Sequence, residues 1–248
     1  MASVEPDLLY AEDLAYVHDA GFGHQAEAAA EQLLELLATR DVESGTIVDL
    51  GCGGGITAAR LAAAGFDVVG IDSSPACIEL ARRRVPSGAF QVGSFIDADL
   101  PDAVAVLAVG EVLNYLIDSR NGPKALPSVL TRVYDAIEPE GVFLFDLSGP
   151  GRVGAEKMRT WHAGDDWAVM VEAKEDTRAG TLTRHITSFR QTGDGYRRAE
   201  ETHVLRLYAP NAVVASLHAA GFRARILRGY GGEEFARGHR AFLARRPG

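Results

Sequence analysis

Four positions at alternate spacing, Asp49, Gly51, Gly53 and Gly55, carry the clearest chemical meaning, and a second acid follows at Asp72. They lie in Thr46-Ile47-Val48-Asp49-Leu50-Gly51-Cys52-Gly53-Gly54-Gly55, between an apolar stretch and a helix-forming run from Ile56 to Ala64. A strand, a glycine turn and a helix start, in that order, bring bare backbone and free helix N–H groups up to a ligand. Asp72 closes the next apolar run, Val68-Val69-Gly70-Ile71, and comes 23 residues after Asp49. A ribose-binding acid sits at an offset of about 20 residues in such folds. The arrangement predicts a nucleoside-bearing cofactor.

The dinucleotide fingerprint G-x-G-x-x-G needs a third glycine for close helix–strand packing. Counted from Gly51, that position is Ile56, and the chain carries no Tyr-x-x-x-Lys pair of the oxidoreductase kind. An acid two residues before the first glycine repels a pyrophosphate but attracts and hydrogen-bonds an ammonium group. This favours S-adenosylmethionine over NAD(P). An NAD(P)-dependent oxidoreductase and a non-catalytic S-adenosylmethionine-binding protein are the competing readings, and a methyltransferase acting on protein or RNA is a third.

Val48 to Gly55 and Gly70-Ile71-Asp72-Ser73-Ser74 resemble motifs I and II of the class I S-adenosylmethionine-dependent methyltransferases. Gln91-Val92-Gly93-Ser94-Phe95, Ala108 to Tyr115 and Pro139 to Asp146 continue the match in the family's order, over residues 45 to 148. The resemblance implies an α/β fold: a Rossmann-like, doubly wound, mainly parallel sheet of seven strands, the last antiparallel, with helices on both faces. It also implies an antiparallel β insertion after the fifth strand. Several small-molecule N-methyltransferases, including those acting on amino sugars, carry one there, where it covers the substrate pocket or makes a dimer contact. The expected reaction moves a methyl group to nitrogen or oxygen of a small-molecule acceptor and leaves S-adenosylhomocysteine. A homodimer through the insertion is a further expectation.

The 248 residues suit one domain, divided as an N-terminal helical lid (1–44), a cofactor-binding core (45–150), the insertion (161–208) and a C-terminal helix with the last strands (209–248). A net charge of −9 argues against a broad nucleic-acid surface, which needs clustered Lys and Arg. Arg82-Arg83-Arg84 reads as a solvated helix end favoured by the dipole. Cys52 and Cys77 have no ligand spacing, and no metal is expected. No apolar stretch approaches the ~20 residues of a membrane span, and the first residues lack a signal-peptide pattern, so the expected location is the cytoplasm.

The first forty residues read as two helices broken at Gly21-Phe22-Gly23, with Leu8, Leu9, Leu14 and Val17 as an apolar stripe. Strands are expected at 46–51, 67–72, 89–93, 103–110 and 141–147, and helices at 55–64, 75–84 and 124–137. A three-stranded meander covers Trp167–Lys174, Thr183–Thr192 and Tyr196–Tyr208. Asn211 can cap a helix to Ala220, and short strands at 224–227 and 241–244 flank a glycine-rich linker, Gly229 to Gly232.

These elements place the candidate side chains. Asp49 is expected to orient the loop and the cofactor's ammonium, and Asp72 to accept from ribose hydroxyls, with Gly51, Cys52, Gly53 and Ser73 around them. The resemblance puts Ser94 and Phe95 beside adenine, Ser94 standing where the family commonly has Asp; Asp97 and Asp99 are alternative acids, read as solvated. Gly110 and Glu111 end the fourth strand, at the switch point where open α/β sheets bind ligands. His18, Tyr16, Glu111 and Tyr115 are the catalytic candidates; each could instead be a packing or surface group. Trp161, His162 and Trp167 could form an aromatic wall, with core packing the plain alternative.

Overall fold

The computed structural model describes residues 9–116, 118, 120–122, 124–154 and 157–248; Leu8 and the rest of the N-terminal stretch lie outside them. Two helices come first, α1 (Glu12–Gly21) and α2 (His24–Ala38), then β1 (Thr46–Leu50), α3 (Ile56–Ala63), β2 (Asp67–Asp72), α4 (Pro75–Arg84), β3 (Ala89–Val92) and β4 (Ala103–Ala108). A 3₁₀ turn at Val112–Asn114 leads to α5 (Ala125–Ala136) and β5 (Ile137–Ser148). The seven-stranded sheet is completed by β10 (Arg223–Leu227) and β13 (His239–Arg245). Its order is β10-β13-β5-β4-β1-β2-β3, and β13 runs antiparallel to both neighbours while β1 pairs in parallel with β2 and β4.

This topology decides where a ligand can bind. From β1 the chain crosses to β2 on one side and later returns to β4 on the other, so a crevice opens beyond their carboxyl ends. The strands are apolar because helices cover both faces. On one face α2, α3 and α4 bury Leu33, Leu37, Leu61 and Ile78 against Ile47, Leu107 and Leu144. On the other, α5 and α6 (Pro210–Ala219) bury Val129, Val133 and Leu217 against Val48, Val106 and Phe143. Phe145 stacks on Phe143 and Phe242, with ring centroids 4.4 and 5.0 Å away.

The insertion is a separate four-stranded antiparallel sheet, in the order of β6 (Met158–Ala163), β7 (Trp167–Asp176), β8 (Thr181–Thr192) and β9 (Gly195–Arg206). The expected meander lacked β6. That edge strand is exposed along most of its length, so it shows no apolar alternation, and its conformation comes from pairing with β7. Two smaller expectations also change. Pro210 occupies the first turn of α6 and Ala209 the cap position, so Asn211 is not the cap. The glycine-rich linker forms a small hairpin, β11 (Gly229–Tyr230) with β12 (Glu233–Glu234), which buries Tyr230.

Helix α1 bridges the insertion sheet and α4. Its Leu14 and Val17 pack on Val169 and Ile186 of the insertion, and Asp13 takes two hydrogen bonds from Arg197 on β9. Asp19 at its far end pairs with Arg84 of α4 at 2.7 Å. Truncating Phe145 to Ala in the middle of the aromatic stack is expected to lower unfolding free energy by about 3–5 kcal/mol in urea titrations.

Candidate active site

The glycine turn after β1 is held by β2. Gly51 and Cys52 donate their amides to the Ile71 carbonyl, and the Gly53 amide donates to Asp72 Oδ2 at 2.9 Å. The Ser74 amide binds Asp72 Oδ1 at 2.8 Å. Asp72 therefore ties the turn to the start of α4, where Ser74 Oγ caps Cys77 and donates to the Tyr10 carbonyl at 2.6 Å. Burial pushes the Asp72 carboxyl pKa up, and the two amide hydrogen bonds oppose that shift. Arg84 clasps the turn from below, donating to the Gly54 carbonyl as well as to Asp19, and Arg82 Nη2 donates to the Phe90 carbonyl at 2.7 Å. All three arginines of the basic triplet are exposed in the last turn of α4, as expected, and Arg83 pairs with Glu79.

A cavity of about 500 Å³ runs along this turn, lined by Gly51, Gly53, Asp72, Ser73, Ser94, Phe95, Val109 and Gly110. Gly53 (φ +52°) and Gly110 (φ +94°) both have left-handed backbones, and a Cβ at either would meet no atom within 4 Å. Bare backbone thus faces the open cavity at two places. Asp49 and Cys52 do not line it. Asp49 is buried behind the turn, its Oδ2 without a hydrogen-bond partner, and burial together with Asp72 pushes its pKa up to about 7. The Cys52 thiol is buried too, and burial followed by the nearby Asp49 and Asp72 carboxylates raises its pKa.

The far wall carries residues that sequence reasoning missed. Ser94 Oγ donates to Asp118 Oδ2 at 2.9 Å, and both Asp118 and Arg120 line the cavity. Hydrogen bonds from Arg120 hold the Asp118 carboxyl down at about 2. Asp97, expected to be a solvated acid, is exposed and pairs with Arg120 at 2.6 Å. Only the order of segments hinted at this loop, since Asp118 lies beyond the matched Ala108–Tyr115 stretch.

Gly110 and Glu111 form a left-handed turn at the end of β4, with Glu111 at φ +63°. Their amides donate to Asp146 Oδ2 and Oδ1 at 2.8 and 2.7 Å. The same buried carboxylate accepts from Tyr230 Oη at 2.9 Å and lies 2.7 Å from His239 Nε2. Asp146 lies near the end of β5 as Asp49 and Asp72 lie at or near the ends of β1 and β2, and an acid late in an apolar strand was the available signal.

Glu111 turns away from the first cavity into a second one of about 290 Å³ under the insertion sheet. The Glu111 side chain, expected to meet the cofactor, does not line the larger cavity. Glu111 accepts from Ser148 Oγ and from Arg184 Nη2, the latter at 2.6 Å, with Arg152 Nε 3.5 Å away. Burial opposes the charge, yet Arg184, His239, Ser148 and Arg152 together bring its pKa down to about 2.

Tyr10, His18, Gly110 and Tyr115 line both cavities, and the boundary they share is the neck. Tyr10 and Tyr115 share a hydroxyl–hydroxyl hydrogen bond of 2.8 Å, and burial raises both phenol pKa values. The His18 ring lies edge-on to Tyr10 at 5.2 Å. His18 keeps accessible surface, while desolvation by the surrounding protein lowers its pKa below 6.5. Tyr16 reaches neither cavity: its hydroxyl donates to Asp166 at 2.6 Å, and the Arg190 guanidinium covers its ring at 3.9 Å. Of the aromatic wall, His162 lines the second cavity, Trp167 packs with α1, and Trp161 is exposed. Among the described residues no group of three or more His, Cys, Asp or Glu could hold a metal, and no helix is long and apolar enough to cross a membrane.

Residues 22–225 match the family model of a methyltransferase domain. The chain belongs to the S-adenosylmethionine-dependent methyltransferases. It is 24% identical over 233 residues to a dTDP-3-amino-3,4,6-trideoxy-α-D-glucopyranose N,N-dimethyltransferase of Streptomyces venezuelae, covering 89% of this chain and 94% of that protein. An S-adenosylmethionine-dependent methyltransferase from Clostridium acetobutylicum superposes with a TM-score of 0.79 at 16% identity, over 94% of this chain and 98% of that one. The S-adenosylmethionine-bound amino pentose methyltransferase CalS10 from Micromonospora echinaspora gives 0.73 at 20% identity, over 94% and 95%.

The methyltransferase's cofactor is S-adenosylmethionine, and two features of the site fit it. The unpartnered Asp49 carboxyl oxygen behind the turn suits a cation, and the uncovered backbone at Gly53 and Gly110 leaves room for a ligand against it. Replacing Gly110 with Ala is expected to weaken S-adenosylhomocysteine binding at least about tenfold in calorimetry. The left-handed backbone adds a stability loss of about 1–2 kcal/mol, readable in the same sample's thermal melt.

Proposed function

We propose that the enzyme transfers a methyl group from S-adenosylmethionine in the larger cavity to a nitrogen or oxygen of a small-molecule acceptor in the smaller one. The observation that carries this reading is the neck of Tyr10, His18, Gly110 and Tyr115 common to both cavities. The bound cofactor supplies an electrophilic methyl on a sulfonium, which departs as a neutral thioether. The protein then has to align donor and acceptor at near-attack distance, about 3–3.5 Å, and keep water out.

The chain's residues divide that work. Asp49 attracts the cofactor's ammonium from behind the turn, and Asp72 keeps lone pairs for the ribose hydroxyls beside its two amide bonds. Ser94, Phe95 and Asp118 form the adenine end. His18, with its lowered pKa, is neutral at pH 7 and can accept the acceptor's proton. Tyr10 and Tyr115 stay protonated and shape the neck. Helix α1, tethered to both α4 and the insertion, serves as the lid. The exposed cross-strand pair Trp161 and Met170 supplies an apolar patch for a homodimer contact on the insertion. The two buried, unpaired cysteines are at home in the reducing cytoplasm.

Three measurements test the reading. Calorimetry is expected to show S-adenosylhomocysteine binding and no comparable association with NADH. Because a nearby ammonium favours the charged form of Asp49, ligand binding should release a proton and tighten as pH rises through about 7. Titrations in buffers of different ionisation enthalpy read that proton, and Asp49→Asn is expected to abolish the pH slope and weaken binding about tenfold. For His18, kcat/KM should be flat near pH 8 and fall on acidification with an inflection below 6.5. His18→Gln should remove that limb and lower kcat by about 10²-fold or more.

A further inference from the structure

The smaller cavity has a chemical preference of its own. Arg152 and Arg184 both line it, with side chains 20% and 16% exposed, and neither lines the cofactor cavity. Glu111 stands between them, so two guanidinium charges face one carboxylate. That carboxylate is already engaged with Ser148 and Arg184. Asp146, the other buried acid nearby, is turned to the Gly110 and Glu111 amides, Tyr230 and His239 behind the turn, and does not line the cavity. Among the described residues Arg152 donates no hydrogen bond, and its buried Nε has no partner.

A guanidinium carries five N–H donors in a planar fork that matches a carboxylate two-to-two. A buried donor left unmade is costly, and among the described residues the Arg152 fork pairs only with Glu111, at 3.5 Å and without a hydrogen bond, so beside Arg184 it is suited to a further oxyanion. We propose that the methyl acceptor is a small carboxylate-bearing molecule, its carboxylate held by Arg152 and Arg184 and its reacting nitrogen or oxygen at the neck. The proposal rests on the reading of the smaller cavity as the acceptor site. Glu111 is then a positioning residue: it fixes the two arginines and leaves their outer donors free. The cavity's volume of about 290 Å³ falls just under the range of about 300–1,000 Å³ for ligand pockets, which suits a compact acid.

The test uses the full chain saturated with S-adenosylhomocysteine, titrated at constant ionic strength with succinate, its neutral analogue succinamide, inorganic phosphate and pyrophosphate. Succinate is expected to bind and raise the melting temperature, with succinamide silent. Arg152→Gln should weaken succinate at least about tenfold and leave S-adenosylhomocysteine affinity within about twofold, and Arg152→Lys should fall between. Equal or absent responses to succinate and succinamide would overturn the proposal, as would unchanged succinate affinity in Arg152→Gln. Phosphate or pyrophosphate binding with carboxylates silent overturns it in favour of a phosphorylated acceptor. Loss of S-adenosylhomocysteine binding by the unaltered protein is a different result, and it strikes the cofactor reading instead. The wild-type comparison stands whether or not any variant folds.

Discussion

Asp146 accepts the amides of Gly110 and Glu111 from the end of a neighbouring strand, and both cavities take their shape from that contact. The turn is left-handed at a non-glycine residue, a conformation that persists only where the surroundings over-determine it. Here the buried carboxylate, backed by Tyr230 and His239, supplies the constraint. With the turn so held, Gly110 opens bare backbone to the neck while Glu111 swings into the smaller cavity. One buried acid thereby separates the larger cavity from the smaller one.

The second constraint is the tethering of α1. A helix lying over a sheet insertion would hold loosely by apolar contact alone, since the patch of Leu14, Val17, Val169 and Ile186 is small. Charged contacts at its two ends, Asp13 with Arg197 and Asp19 with Arg84, fix its position. Just ahead of it, Tyr10 is fastened through all its polar groups: its amide to Glu201, its carbonyl to Ser74 and its hydroxyl to Tyr115. Three separate stretches of chain meet on that residue, which places the phenol at the neck.

How much of this was legible beforehand depended on whether a signal was local. The alternation of apolar runs with helix formers marked the parallel core, because strand and helix periods are written in consecutive residues. The turn from Asp49 to Gly55 and the acid at Asp72 were readable for the same reason. Strand β6 was not, since an exposed edge strand needs no apolar alternation and its pairing partner lies further along the chain. Tyr16 could not be separated from Tyr10 or Tyr115 by type or spacing; only packing shows that it faces Asp166.

The sequence by itself determined the class of fold, the glycine turn that lines the larger cavity and the sign of the charge behind it, for these follow from short-range patterns and from which side chains are acids. Tertiary structure alone decided that Asp49 stands behind the cavity, that Glu111 faces two arginines in the smaller cavity, and that Asp118 joins Ser94 across the cleft. Those outcomes depend on side chains separated by 24 to 73 residues arriving at one point, which no local pattern encodes. The arginines of the smaller cavity are the clearest case. Neither has a motif around it, and their meaning arises only because the insertion sheet folds back over the end of β4.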